Sequence, residues 1–117
     1  MGHWHEIQKD LAVPTRELRA AIPDAWKAFS QLHQASMAEG AIPARIKEVI
    51  ALAIAVSEQC DGCIAYHASS AARGGATEAE VAEGLGVALL MNGGPATVYG
   101  PRAWAAFQEF RDSDGAM

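Results

Sequence analysis

"SEQCDGCIAYHASS", residues 57–70, holds both cysteines of the chain and one of its four histidines. The stretch before it, "AIPARIKEVIALAIAVSEQ" (41–59), carries apolar side chains at helical spacing, with Pro43 in its first turn, where a missing N–H costs little. The stretch after it leads to "RGG" (73–75), whose glycines end a helix. The sequence therefore predicts an antiparallel helical hairpin that turns near residues 57–60. We expect its first helix to be the most buried element.

Four side chains of this hairpin form a candidate catalytic site. Cys60, Cys63 and His67 fall on one face of the second helix, and a helix that begins near Cys60 favours the thiolate through its free N–H groups and its dipole. At the helical rise, Glu48 lies about 13 Å and His67 about 10 Å back from the turn, so the two are nearly level. Since a carboxylate orients an imidazole and raises its basicity, Glu48 is the expected partner of His67.

Two other interpretations use the same residues. A structural zinc ion would need a fourth ligand from Glu48 or Asp61, and a helical C-x-x-C with His67 one turn later is unlike a zinc knuckle. Alternatively, the cysteines are small buried hydrophobes and His67 is a hydrogen-bonded structural histidine. A disulfide framework is excluded, because a bridge between residues three apart constrains little of the unfolded chain. We expect neither a metal nor a cofactor.

Length and composition narrow the class of protein. A chain of 117 residues is one domain, 1–117, and its 50% hydrophobic but only 7% aromatic content, with many alanines, favours an all-α fold. The net charge of −5 speaks against nucleic acid and anionic lipid as partners. The longest apolar run, 49–56, is far shorter than the roughly 20 residues of a membrane span, and no signal peptide is visible. We therefore expect a cytoplasmic protein.

The N-terminal third carries weaker signals. Residues 1–13 predict an N-terminal arm or a short helix that ends at Pro14 and packs late or onto a neighbouring subunit. The next helix is predicted to begin with Asp24 as its N-cap and to stop at Gly40.

The C-terminal third carries clearer signals. Thr77 and Glu80 have the spacing of a capping box, and the helix that they open is predicted to end at Gly93. Gly84 within that helix is expected to allow a close helix or subunit contact. Pro101 is expected to start the last helix, which has three aromatic residues to bury: Trp104, Phe107 and Phe110.

A wider pattern adds a family resemblance. Glu48, eleven residues, "CDGC" (60–63), three residues and His67, followed by "GGATEAEVAEGL" (74–85), resembles the AhpD-like alkylhydroperoxidases of the carboxymuconolactone decarboxylase superfamily. The resemblance covers about residues 24–110. The cysteine pair is typical of the peroxidase branch, since the decarboxylases proper lack it.

The resemblance implies an all-α fold in which the helical hairpin carries the site, assembled into trimers or hexamers. It implies that Glu48 and His67 form a proton relay, that Cys63 attacks the peroxide and becomes a sulfenic acid, and that Cys60 condenses with it to a disulfide. A dithiol donor, a lipoylated protein in the best-known members, then resets the enzyme. This chain has Gly62 where the best-known peroxidases have a further histidine that bridges the relay.

The sequence thus predicts a thiol-dependent peroxidase or disulfide oxidoreductase that acts on hydroperoxides. The alternative is a non-redox, carboxymuconolactone decarboxylase-like enzyme that uses His67 and Glu48 as acid and base. The wide apolar stripe of the first hairpin helix also indicates that another subunit covers part of it, as in a homo-oligomer.

Overall fold

The computed structural model describes residues 2–115, which form α-helices and one short π-helix and contain no β-strand. The all-α prediction is confirmed. The helices are α1 (His3–Ala21), α2 (Pro23–Met37), α3 (Ala44–Glu58), α4 (Asp61–Arg73), α5 (Glu78–Asn92) and α6 (Ala96–Phe110), followed by the π-helix Arg111–Gly115. Among these described helices, none is long and apolar enough to cross a bilayer.

The predicted hairpin is formed by α3 and α4. Gln59 ends α3 in the left-handed conformation, with φ of 55°, and the N–H of Cys60 bonds the carbonyl of Ala55 at 3.2 Å. This 6→1 bond satisfies one of the last carbonyls of α3 while it reverses the chain. Cys60 then becomes the N-cap of α4, so the turn delivers both cysteines to the start of a helix.

The most buried element is α4, and the expectation that α3 would be is wrong. α4 lies against α1, α3 and α6, and it buries six small or aliphatic residues: Ile64, Ala65, Ala68, Ser69, Ala71 and Ala72. Alanines let neighbouring helices approach closely from several sides. α3 is covered chiefly by α4 and α5, so Ile50 and Ile54 of its predicted stripe remain 44% and 53% exposed.

The N-terminal arm is a long helix, and the predicted boundary at Pro14 is wrong. α1 continues through Pro14 to Ala21, and Trp4 in its first turn is buried in the core. The carboxylate of Glu109 on α6 accepts hydrogen bonds from the backbone N–H of Trp4 at 3.3 Å and of His5 at 2.8 Å. The Glu109 side chain thus caps α1 from the other end of the described chain. The N-cap residue itself, Gly2, has no side-chain oxygen that could do so.

The bounds of α2 also differ from the prediction. Pro23 occupies the first turn and Ile22 is the N-cap, so Asp24 lies inside the helix, where its charge still suits the positive end of the dipole. The helix ends at Met37, before Gly40, where Ala38 takes an extended conformation with ψ of 152°. The Lys47 ammonium binds the carbonyls of Ser36 at 3.0 Å and Ala38 at 2.7 Å. No residue of α2 is buried in the described part of the chain.

The predicted signals in α5 are confirmed. Thr77 and Glu80 form the complete capping box, and Gly93 is the C-cap with φ of 68°. At Gly84, a Cβ would lie 2.5 Å from Cγ1 of Val49, so the missing side chain is what lets α5 approach α3. Because Val49 follows Glu48 in the chain, this close contact between α3 and α5 lies directly beside Glu48.

The last helix starts earlier than expected. α6 begins at Ala96, which is buried, and Pro101 lies inside it at an exposed position, so the prediction that Pro101 starts the helix is wrong. The first N–H groups of α6 bond the carbonyls of residues 93–95, which starts the helix without a side-chain cap. Phe107 and Phe110 are fully buried, and Trp104 is partly buried.

Candidate active site

The cysteine pair lies at the N-terminus of α4. Cys60 and Cys63 are joined by a disulfide, with their Cα atoms 5.2 Å apart, and both residues are half-buried. The sulfur of Cys60 accepts the backbone N–H of Cys63 at 3.2 Å, as the oxygen of an ordinary N-cap would. Once the disulfide is reduced, this N–H and the positive end of the helix dipole favour a thiolate at Cys60.

The histidine and the glutamate meet across the hairpin. Nδ1 of His67, on α4, lies 2.8 Å from Oε1 of Glu48, on α3. A carboxylate can only accept here, so Nδ1 carries the proton and Nε2 is left free to act as a base. The Glu48 side chain is 14% exposed and that of His67 is 26% exposed, so the imidazole reaches solvent while its carboxylate partner is largely covered.

His67 follows Cys63 by four residues on the same helix. Residues at this spacing are neighbours on one helical face, so Glu48, His67 and Cys63 follow one another from α3 to the dithiol. The four residues named from the sequence thus lie in one region of the hairpin. Within residues 2–115, no group of three or more His, Cys, Asp or Glu side chains is arranged to hold a metal ion.

Gly62, between the cysteines, lies under α1. A Cβ on Gly62 would lie 3.3 Å from Cδ1 of Leu11, and the amide of Gln8 reaches the carbonyl of Ala65 at 3.5 Å. A larger side chain at position 62 would therefore require the Leu11 side chain of α1 to shift. The candidate relay is the hydrogen-bonded pair of Glu48 and His67, and Gly62 has no side chain to add to it.

An arginine also reaches the cysteine segment, and the sequence analysis missed it. Arg102 of α6 binds Asp61 through two parallel hydrogen bonds, Nε to Oδ1 at 3.2 Å and Nη2 to Oδ2 at 2.7 Å. Its guanidinium lies 5.3 Å from the Trp4 ring and 5.6 Å from the Tyr99 ring. Asp61 is visible between the two cysteines in the sequence, but its partner is 41 residues away, and no local pattern indicates it.

A second histidine and glutamate pair joins the two ends of the described chain. Nδ1 of His5 lies 2.5 Å from Oε2 of Glu109, the carboxylate that caps α1, and Ser113 approaches Nε2 of His5 at 3.3 Å. Burial raises the pKa of Glu109, but the hydrogen bonds from His5 and Trp4 outweigh burial and hold that pKa below its ordinary value. The Ser113 hydroxyl donates to the carbonyl of Glu109, so it is not poised as a nucleophile.

Comparison with known proteins assigns the family. The sequence model of the carboxymuconolactone decarboxylase family matches residues 23–112, which include the hairpin and all four site residues.

The chain belongs to the carboxymuconolactone decarboxylase family.

Relatives of this family member cover most of its length. An uncharacterized protein of Cupriavidus necator is 41% identical over 90 residues, which are 77% of this chain and 80% of that protein. Uncharacterized protein 4 of the cox locus of Paracoccus denitrificans is 37% identical over 102 residues, 87% of this chain and 86% of that protein.

A solved structure shares the fold. The crystal structure of an apo carboxymuconolactone decarboxylase family protein from Legionella pneumophila superposes with a TM-score of 0.90 at 39% identity, over 92% of this chain and 96% of that one. The carboxymuconolactone decarboxylase fold therefore extends over nearly all of this chain, α1 included.

Proposed function

We propose that this carboxymuconolactone decarboxylase family member is a thiol-dependent peroxidase that reduces hydroperoxides through the Cys60–Cys63 dithiol. The observation that carries the proposal is the hydrogen bond between His67 and Glu48, one helical turn beyond Cys63. A base oriented by a carboxylate, next to a sulfur at a helix N-terminus, is the arrangement that activates a thiol nucleophile.

In the proposed first step, the Cys63 thiolate attacks one oxygen of the hydroperoxide. A sulfur–oxygen bond forms and the oxygen–oxygen bond breaks, so that two electrons pass from sulfur to the peroxide. His67, protonated by the thiol that it has ionised, returns that proton to the leaving alkoxide through Nε2. The products are an alcohol and the sulfenic acid of Cys63, and Glu48 stabilises the imidazolium between the two proton transfers.

In the second step, the Cys60 thiolate attacks the sulfur of the sulfenic acid. The sulfur–sulfur bond forms, and the hydroxyl leaves as water with the proton that the Cys60 thiol gave up. One hydroperoxide and two thiols thus give one alcohol, one water and the disulfide. A dithiol donor, for which a lipoylated protein is our candidate, reduces the disulfide by exchange. We place this cycle in the cytoplasm, where thiol reductants are maintained.

The decisive experiment is a thiol titration of the reduced protein before and after addition of cumene hydroperoxide. We expect two thiols per chain to be lost, and mass spectrometry to locate one Cys60–Cys63 disulfide. Cys63→Ser should abolish peroxide consumption, because the attacking sulfur is gone. Cys60→Ser is the matched control: it should still consume one equivalent of peroxide and stop at the sulfenic acid, which dimedone traps. Equal turnover by wild type and Cys63→Ser would contradict the proposal.

A second candidate function would use the His67–Glu48 pair and neither cysteine. His67 and Glu48 are hydrogen-bonded to each other and need neither cysteine to act as an acid–base pair, and Gly62 gives the relay no third member. This arrangement suits a non-redox decarboxylase or isomerase of the same family. Under this alternative both cysteine-to-serine variants keep full activity, so the same variants distinguish the two functions.

We further propose that the protein acts as a homo-oligomer, a trimer or a hexamer. α3 and α5 share a groove lined by apolar side chains, and around it Ile54, Val87 and Met91 are 53%, 61% and 76% exposed. Phe29 and Leu32 of α2 are each 62% exposed. Apolar surface of this extent on a small chain is typical of subunit contacts. Light scattering on the purified protein tests this, and the mass of a single chain would contradict it.

A further inference from the structure

We infer that Arg102 is a positioning residue for the dithiol: by binding Asp61, it neutralises the one carboxylate between the two cysteines and thereby stabilises the thiolate of the reduced protein. The inference rests on the proposed function in so far as the thiolate is the reactive species. Arg102 acts through Asp61, to which its guanidinium is hydrogen-bonded.

The pairing of Arg102 with Asp61 is a two-point contact. Both carboxylate oxygens of Asp61 are engaged, one by Nε and one by Nη2 of the guanidinium. Such parallel bonds fix the orientation of both groups, which a single bond to a lysine would not do. The side chains are 36% and 40% exposed, so solvent weakens the attraction without disrupting the geometry.

The guanidinium has contacts besides those with Asp61. It lies within cation–π distance of Trp4 and of Tyr99, which belong to α1 and α6. Trp4 is itself 5% exposed, and its backbone N–H is bound by Glu109. Contacts from α1, α4 and α6 thus meet at Arg102, so two aromatic rings as well as Asp61 hold its guanidinium.

The charge next to the sulfurs decides the effect on the thiolate. Asp61 lies between Cys60 and Cys63 in the chain, and a bare carboxylate there opposes a second negative charge on sulfur. Titratable and charged side chains near the dithiol include Asp61 and His67 of α4, Glu48 of α3, and Arg102 and Tyr99 of α6. Glu58, the last residue of α3, and Tyr66, three residues after Cys63, lie close to the cysteines in the chain, and both are exposed. α1 contacts this region through Trp4 and Leu11.

Removal of Arg102 and removal of Asp61 should shift thiol reactivity in opposite directions. Arg102→Ala leaves Asp61 uncompensated, so the thiolate is disfavoured. Asp61→Asn leaves the guanidinium uncompensated, so the thiolate is favoured. If Arg102 had only a structural role, both variants would break the same two hydrogen bonds and shift thiol reactivity in the same direction.

The test is the rate of iodoacetamide alkylation of the reduced protein from pH 5 to pH 10, with mass spectrometry to identify the cysteine. For Arg102→Ala we expect the midpoint to rise by about half a pH unit and the rate at pH 7 to fall about threefold, a modest effect because the pair is partly solvated. Asp61→Asn should move the midpoint down by a similar amount. The double variant should return close to wild type, and Arg102→Lys should largely restore the wild-type midpoint.

Arg45→Ala is the matched control. Arg45 makes the same kind of two-point contact with Glu80, but it lies beside Gly74, at the opposite end of α4 from the cysteines. Its removal should leave the alkylation midpoint unchanged. Shifts of the same sign in Arg102→Ala and Asp61→Asn, or no shift in either, would overturn the inference. Because alkylation needs no peroxide, this outcome is independent of whether the protein turns over hydroperoxides.

Discussion

The protein contains two histidine–glutamate pairs with the same local chemistry and different surroundings. In each pair, Nδ1 of the histidine bonds a glutamate oxygen across two helices, at 2.8 Å for His67 and Glu48 and at 2.5 Å for His5 and Glu109. The Glu109 carboxylate also accepts two backbone N–H groups of α1. Glu48, by contrast, accepts its hydrogen bond from the imidazole of His67.

The surroundings of each pair determine what it can do. The charge of Glu109 is already committed to the end of a helix, and Nε2 of His5 faces the back-bonded Ser113. The charge of Glu48 is committed to His67, which lies one helical turn after Cys63 on α4. The same pair of residue types therefore anchors a helix in one place and forms a candidate proton relay in the other.

The sharpest test of this contrast replaces each histidine by glutamine. His67→Gln removes the base from the proposed relay, and we expect kcat/KM for hydroperoxide to fall by about a hundredfold, in the range of general acid–base contributions. His5→Gln is the matched control and should leave kcat/KM unchanged, since its contacts lie at the start of α1. The measurement is peroxide turnover with a dithiol reductant. Equal losses in the two variants would remove the distinction between the pairs.

The glutamates should show the reverse contrast, in stability. Glu109→Gln keeps one acceptor oxygen but loses the charge at the start of α1, so we expect it to lower the free energy of unfolding by about 1 kcal/mol at pH 7. Glu48→Gln is the comparison variant: it should lower peroxide turnover, and its free energy of unfolding should fall less than that of Glu109→Gln. Urea unfolding followed by circular dichroism measures the free energy of unfolding of both variants. If Glu48→Gln lost more stability than Glu109→Gln, our assignment of Glu109 to helix anchoring and of Glu48 to the proton relay would be wrong.

The same two proteins, wild type and Glu109→Gln, should converge in acid. The pKa of Glu109 lies below its ordinary value in the folded protein, so its contribution is fully present above the unfolded value, about 4.3, and is lost as the pH falls through the lower folded value. Glu80, whose pKa is lowered by Arg45, contributes acid sensitivity to both proteins alike. A stability gap that stayed constant down to pH 2 would contradict the assigned role of Glu109.

Local sequence signals predicted the half of the fold that holds the candidate site. The hairpin, the capping box of Thr77 and Glu80 and the glycine stop at Gly93 depend on contacts within a few residues of one another, and such contacts can be read from spacing. The helical rise alone predicted that Glu48 and His67 lie at nearly the same height in the hairpin. Which reaction these residues carry out is still a prediction.

Features that depend on distant residues were missed. α1 continues past Pro14 and α6 begins before Pro101, because buried residues at their first turns, Trp4 and Ala96, hold these helices in place. Both prolines are exposed, so their rings displace no core side chain. The ion pair of Arg102 and Asp61 joins residues 41 positions apart, and no periodicity in the sequence indicates such a pair.

The cap of α1 has a consequence for synthesis on the ribosome. Trp4 and the carboxylate that caps its helix are 105 residues apart, which corresponds to roughly 5–20 s of translation at ordinary rates. During that interval α1 has neither its acceptor nor the aromatic core that buries Trp4, and an isolated helix of 19 residues is only marginally stable in water. α1 is therefore synthesised before the residues that complete it, and until then it presents a bare tryptophan to the chaperones of the cell.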